Sequence, residues 1–177
     1  HLMSAVAIYS TLYYTAMQLH PSLNNIQVPA TPAVNVLRRS ALGAASLVAV
    51  TIFSGAFVAG NDAGRAYNTF PLMAGHVVPP EYLDMEPKWK NFIKNVATVQ
   101  FNHRVLATST LGLTGYMWYK SRKMALPRTS RLAVATLFGA ACAQYALGIT
   151  TLLTYVPTSL GSAHQGGAIG VMTAALT

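Results

Sequence analysis

Five apolar runs, at residues 1 to 19, 41 to 59, 96 to 119, 132 to 155 and 159 to 177, constrain this chain more than any other feature. Each is close to the roughly 20 residues a helix needs to cross a bilayer. Apart from tyrosines and Cys142, the ionisable residues inside the runs are His1, His103, Arg104 and His164. The pattern predicts an all-α, polytopic transmembrane helix bundle with five spans visible. Composition agrees, because 53% hydrophobic and 9% charged residues fall outside the range of a soluble domain of this size.

A net charge of +8 raises the question of nucleic acid, but the basic residues form no stripe interleaved with aromatics, so no nucleic-acid partner is expected. They sort by loop instead. Arg38 and Arg39 precede the second run, and Lys120, Arg122, Lys123, Arg128 and Arg131 fill the connection after the third. The connection at 60 to 95 sets all four acids (Asp62, Glu81, Asp84, Glu86) against four bases (Arg65, Lys88, Lys90, Lys94). The positive-inside rule places residues 20 to 40 and 120 to 131 on the inner side and 60 to 95 on the outer side. That assignment alternates with every crossing, and Tyr116, Trp118 and Tyr119 fall where an inner aromatic belt is expected.

The chain opens on His1 within one apolar run and stops at Thr177 within another, which predicts a piece of a longer protein. Cys142 is the one cysteine, so no disulfide framework or thiolate cluster is expected, and it reads as a small buried apolar residue. Small residues, among them Ser54, Gly55, Gly60, Ala140, Ala141 and Gly148, mark close helix approaches. Pro21, Pro29 and Pro32 make residues 20 to 37 an irregular loop. The 60 to 95 connection is long enough for a functional cap. Pro157 ends the fourth span, with Thr158 or Ser159 placed to cap the fifth.

His103 is expected about 10 Å along its helix and His164 about 8 Å along another that runs the same way. The two imidazoles therefore reach similar depth on the outer side. Val99, Ala107 and Thr110 share the face of His103, and Gly161, Gly167, Ala168 and Val171 that of His164, so both overlook mostly small side chains. Two histidines without a carboxylate or thiolate make a poor closed zinc site, whereas haem iron needs two axial ligands. Two readings stand at this point: axial haem ligands, or histidines bonded to neighbouring helices. Arg104 likewise has two, a bidentate donor to a haem propionate or an arginine snorkelling to the outer interface. Gln100 orients His103 or meets the same carboxylate, and Gln144 needs a partner inside the bundle. His20 reads as solvent-facing; His76 lies in the cap, with an approach to a cofactor as its second reading; Asp62 and Arg65 are either a pair within the cap or part of an ordinary turn.

Ser54-Gly-Ala-Phe-Val-Ala-Gly60, Asp62-Ala-Gly64 and Tyr67-Asn-Thr-Phe-Pro71, with Met73 and Gly75, resemble the fifth span and following outer loop of the haem A synthase family. Gln100-Phe-Asn-His-Arg104 resembles the first histidine motif of that family's C-terminal half. Thr151-Leu-Leu, Tyr155-Val-Pro-Thr158 and Ala163-His-Gln165 resemble the second. The likeness runs through nearly the whole chain in order and spacing, with residues 20 to 40 contributing little.

The family has eight spans in two similar four-helix halves, each with a histidine pair. The resemblance implies that 1-19 is the last helix of the N-terminal half, 20-40 an inner-side linker and 41-177 the C-terminal haem-binding half. It implies that His103 and His164 are axial ligands of haem b, assisted by Arg104 and Gln100, and that His1 holds iron at the site where haem O binds as substrate. The implied reaction is oxidation of the C8 methyl of haem O to the formyl of haem A, through successive hydroxylations with electrons arriving via haem b, for cytochrome c oxidase. No catalytic residue is expected within these residues, since the partner histidine and a glutamate belong to helices absent here, and the fragment alone is expected to be inactive. The implied partners are membrane lipid, haem O and its synthase, and an electron donor such as a ferredoxin; self-association is left open. An outer loop without the cysteine pair of many bacterial relatives leans towards the mitochondrial inner membrane, with the bacterial plasma membrane as the alternative.

A bis-histidine haem b electron carrier needs the same pair but has no reason to repeat a histidine-to-alanine spacing at His1 and Ala5. A transporter or structural bundle with incidental histidines predicts no haem absorbance.

Overall fold

The computed structural model describes residues 2–21, 28 and 30–177. Among them six α-helices carry the fold: α1 (Leu2–Leu19), α2 (Pro32–Gly60), the short α3 (Asn91–Lys94), α4 (Val96–Ser121), α5 (Arg128–Leu153) and α6 (Thr158–Leu176). No strand occurs among the described residues beyond an isolated bridge between Met73 and His76. The all-helical expectation therefore holds. Two helices, α2 and α5, are long and apolar enough by length and composition to cross a membrane.

Helix α2 starts earlier than expected. The prolines suggested a loop to residue 37, but Thr31 accepts a hydrogen bond from Val34 N at 3.2 Å and Pro32 occupies the first turn. Proline there loses only an N–H that has no helical partner, so it starts the helix rather than breaking it. At the other end, Thr158 is the first residue of α6, not a cap. Pro157 holds the cap position and no side chain bonds the free N–H groups. Reversal between α5 and α6 is tight enough to force Tyr155 and Val156 to φ of 61° and 57°. A β-branched residue in that region is strained. Val156 is wedged there, its Cγ2 within 2.9 Å of where a Cβ on Gly64 would stand.

α2 packs on α4, α4 on α5, α5 on α6, and α6 returns to α2, closing a four-helix ring, while α1 leans chiefly on α6. Thr51 bonds Thr110 at 3.1 Å while Ser54 meets His103, so α2 and α4 are antiparallel. Tyr9 bonds Thr173 at 2.6 Å and Tyr13 bonds Thr177 at 2.7 Å, so α1 and α6 run parallel. Val48, Met117, Leu137 and Met172 form part of the apolar core. Buried Thr110 and Thr114 return their hydroxyls to the carbonyls of Leu106 and Thr110, as polar side chains must where water is excluded.

The outside of the bundle is apolar: Leu12, Leu42 and Leu132 are 66%, 72% and 55% exposed. Cys142, expected inside, lies on this exposed surface of α5. A helix facing lipid gains nothing by turning a small apolar residue inward, so the soluble-protein rule that buries cysteine does not carry over. The segment between α2 and α4 folds as a cap over one end. Asn95 caps α4 by accepting from Thr98 N at 3.0 Å and donates to Glu81 O at 2.9 Å and Asp84 Oδ1 at 2.8 Å. Asn68 of the cap donates to Leu152 O at 2.8 Å, tying it to the end of α5.

Candidate functional site

α4 and α6 bring His103 and His164 together with ring centres 6.4 Å apart and planes at 87°. Each ring rests on a different neighbouring helix, and each seat is built alike. A glycine leaves room for the ring: a Cβ on Gly55 of α2 would stand 3.1 Å from His103 Cε1, and one on Gly148 of α5 would stand 2.8 Å from His164 Cε1. A polar neighbour then holds Nδ1. Ser54, next to Gly55, lies 2.7 Å from His103 Nδ1. Gln144, one turn before Gly148, lies 3.1 Å from His164 Nδ1.

The two seats differ in proton placement. Ser54 Oγ lies 2.8 Å from Thr51 O and 2.7 Å from His103 Nδ1; with its one hydrogen on the Thr51 carbonyl it accepts from His103 Nδ1–H, the tautomer that leaves Nε2 with a lone pair. The Gln144 amide nitrogen donates to the His164 carbonyl at 2.7 Å, and its second hydrogen faces Nδ1. His164 Nδ1 therefore accepts, and its proton sits on Nε2. Among the described residues, no group of three or more His, Cys, Asp or Glu is placed to hold a metal ion. The pair can offer two ligands, not a closed four-ligand site.

Arg104 and Gln100 face the cap. Arg104 Nη2 donates to Tyr67 O and Gln100 Oε1, each at 2.8 Å, and Nη1 to Pro71 O at 3.3 Å, with the guanidinium 5.9 Å from the centre of the Phe70 ring. Arg104 Nε is buried without a partner. Gln100 donates to the carbonyl of Ala63, so its amide is committed to Arg104 and the cap, while Ser54 is the residue that meets His103. In the sequence Ser54 and both seat glycines read as close-packing residues, and Ser54 and Gly55 also open the Ser54–Gly60 motif, but neither reading ties them to a histidine. A serine one residue before a glycine, on a helix facing a histidine, was the available signal.

Other candidates lie elsewhere. His1 is outside the described residues. His20 and His76 are exposed. Asp62 takes φ of 49° ahead of a single helical turn, where its carbonyl accepts from Arg65 N at 3.0 Å; their side chains form no ion pair. In the cap, Tyr67 donates to Glu81 at 2.7 Å. Desolvation first, then the Glu81 carboxylate, pushes the phenol up to about 12, and the same bond holds the Glu81 carboxyl below its ordinary value.

Residues 1–176 match the family model described as cytochrome oxidase assembly protein. The chain is 42% identical to "Heme A synthase COX15" of Arabidopsis thaliana over 98% of its own length and 38% of that protein's. It is also 42% identical to "Heme A synthase COX15" of Mus musculus, over 99% of this chain and 42% of the relative. Against "Heme A synthase" of Nitrosospira multiformis the identity is 42%, over 99% and 49%. The chain thus spans less than half the length of each. No solved structure matches.

Proposed function

The chain belongs to the cytochrome oxidase assembly family, among the haem A synthases, and on that premise we propose that it serves haem A biosynthesis as the haem b half of such an enzyme. The enzyme as a whole would oxidise the C8 methyl of haem O to a formyl group. Five spans in the mitochondrial inner membrane, with haem O arriving from its synthase and electrons from a donor such as a ferredoxin, complete the reading; a bacterial plasma membrane is the alternative.

The observation that carries the proposal is the spacing of His103 and His164. Two imidazoles sharing one metal ion can have centres about 6 Å apart, from metal–nitrogen distances of about 2 Å on each side and about 1 Å more from each nitrogen to its ring centre, and these stand at 6.4 Å. Ser54 on His103 Nδ1 supplies the outer hydrogen bond that fixes a ligand's tautomer. At His164 the same role requires the ring proton on Nδ1 and the Gln144 amide turned so that its oxygen, not its nitrogen, meets that N–H. Arg104 Nε, buried and unpartnered, supports a carboxylate such as a haem propionate beside it, with Gln100 holding the guanidinium. Haem held there would supply one-electron transfer. His1 is proposed as a ligand of the substrate haem.

The test is the full-length protein expressed in cells that make haem O, with extracted haems separated by chromatography. A shift from haem O to haem A is expected. Folded, haem-loaded protein that gives no shift would favour a bis-histidine electron carrier. Replacing His103 or His164 with alanine should change the haem spectrum, and an unchanged spectrum removes the ligand assignment.

A further inference from the structure

The end of the bundle opposite the cap carries a groove of about 400 Å³ between the end of α4 and the start of α5. Arg122, Arg128 and Arg131 line it, with Leu126, Leu132 and Ala135 as its apolar wall. Among the described residues no acidic side chain pairs with these arginines. All four acids lie between residues 62 and 86, in the cap, and the ion pair among the described residues, Lys88 with Glu86, is there too.

The arginines are also arranged. Arg122 lies 5.1 Å over the Trp118 ring, which fixes its guanidinium at the groove edge. Arg128 and Arg131 are three apart in the first turn of α5 and so share a face. Pro127 holds the cap position of that helix and no side chain caps it, so its N-terminal dipole adds to the positive field. The apolar wall runs on from the basic rim along α5, where Leu132 is 55% exposed. A soluble anion has no use for such a wall. A molecule with a phosphate head and hydrocarbon tail uses both.

We propose that this groove seats an anionic phospholipid, its phosphates among Arg122, Arg128 and Arg131 and an acyl chain along Leu132 and Ala135. Basic pockets between helices at the inner face of a membrane take such headgroups. The proposal rests on the membrane-spanning reading alone, with no part in haem chemistry, so either can fail without the other.

The test uses full-length protein in nanodiscs of phosphatidylcholine containing a minority of diphosphatidylglycerol, released and weighed by native mass spectrometry. Wild-type protein is expected to retain diphosphatidylglycerol over phosphatidylcholine, unaffected by added inorganic phosphate. Each of Arg122→Gln, Arg128→Gln and Arg131→Gln should weaken retention about fivefold, and Arg131→Lys should weaken it less. The double variant Arg38→Gln/Arg39→Gln, which removes basic residues expected on the same side but outside the groove, should retain the lipid. Thermal unfolding of each single variant shows whether it is folded. Equal loss in the Arg38/Arg39 variant, displacement by inorganic phosphate, or unchanged retention in the groove variants would overturn the site.

Discussion

Gly148 stands under the His164 ring, so close that a Cβ at this position would come within 2.8 Å of His164 Cε1. The opposing seat, Gly55 under His103, is looser at 3.1 Å. Alanine favours a helix by up to about 1 kcal/mol over glycine, whereas forcing a methyl into a packed site costs about 1–3 kcal/mol. Gly148→Ala should therefore lower stability by no more than about 2 kcal/mol and push the His164 ring off its seat. In the full-length protein the expected result is a clear fall in haem per protein, with Gly55→Ala milder. Full haem content and an unshifted spectrum in Gly148→Ala would show that ring position is not set by this glycine.

Ser54→Ala removes the acceptor of the His103 Nδ1 proton. An orphaned buried donor costs about 1–3 kcal/mol, and losing an outer-shell partner of a metal-bound histidine typically weakens metal affinity about 10–100-fold. Transfer of haem from the variant to an excess of a haem scavenger should be faster by a factor in that range. A rate equal to wild type would mean that Ser54 does not hold the ligand.

Both histidines were legible in the sequence because ionisable groups are scarce in apolar runs. Their depth was legible because helix rise is fixed: α4 begins at Val96 and α6 at Thr158, close to where the apolar runs put them. The partners of each ring were not. Which helix faces His103 depends on how α2 and α4 turn about their axes, and with an apolar surface all round, no polar face in the sequence reports that rotation. Gln144 could be expected to seek a partner, but its bonds to both Nδ1 and the carbonyl of His164 follow from the packing of α5 on α6. Pro32 starts α2 although it stands among loop prolines, since a proline in isolation does not say whether it ends one element or starts the next.

Arg104 binds the cap through the carbonyls of Tyr67 and Pro71 and through Gln100. Lysine keeps the charge but not the planar fork that reaches several acceptors at once. Hydrogen bonds from a charged donor contribute about 1.5–3 kcal/mol, so in Arg104→Lys the amides of residues 67 to 70 and 72 should exchange about tenfold faster or more. Amides around Asn91 and Asn95, which bond through their own side chains, should be unaffected. Unchanged exchange at 67 to 70 and 72 would mean that the cap is held by its other ties, such as Asn68 to Leu152.

Tyr67 and Glu81 give the cap opposite pH limits. The Tyr67 phenol is raised from 10.0 to about 12, so what its protonated form contributes is fully present below pH 10 and lost as pH rises through about 12. The Glu81 carboxyl is lowered from 4.5, so its contribution is present above that value and lost as pH falls through the depressed one. Tyr67→Phe removes the donor and should relax both limits together: one late-titrating tyrosine disappears from the alkaline absorbance titration, and Glu81 returns towards an ordinary carboxyl in acid. Loss of the late tyrosine with no change at Glu81 would show that another group holds the carboxylate. The linkage tests the cap alone, because neither residue touches the histidine pair and the haem spectrum of Tyr67→Phe should match wild type at neutral pH.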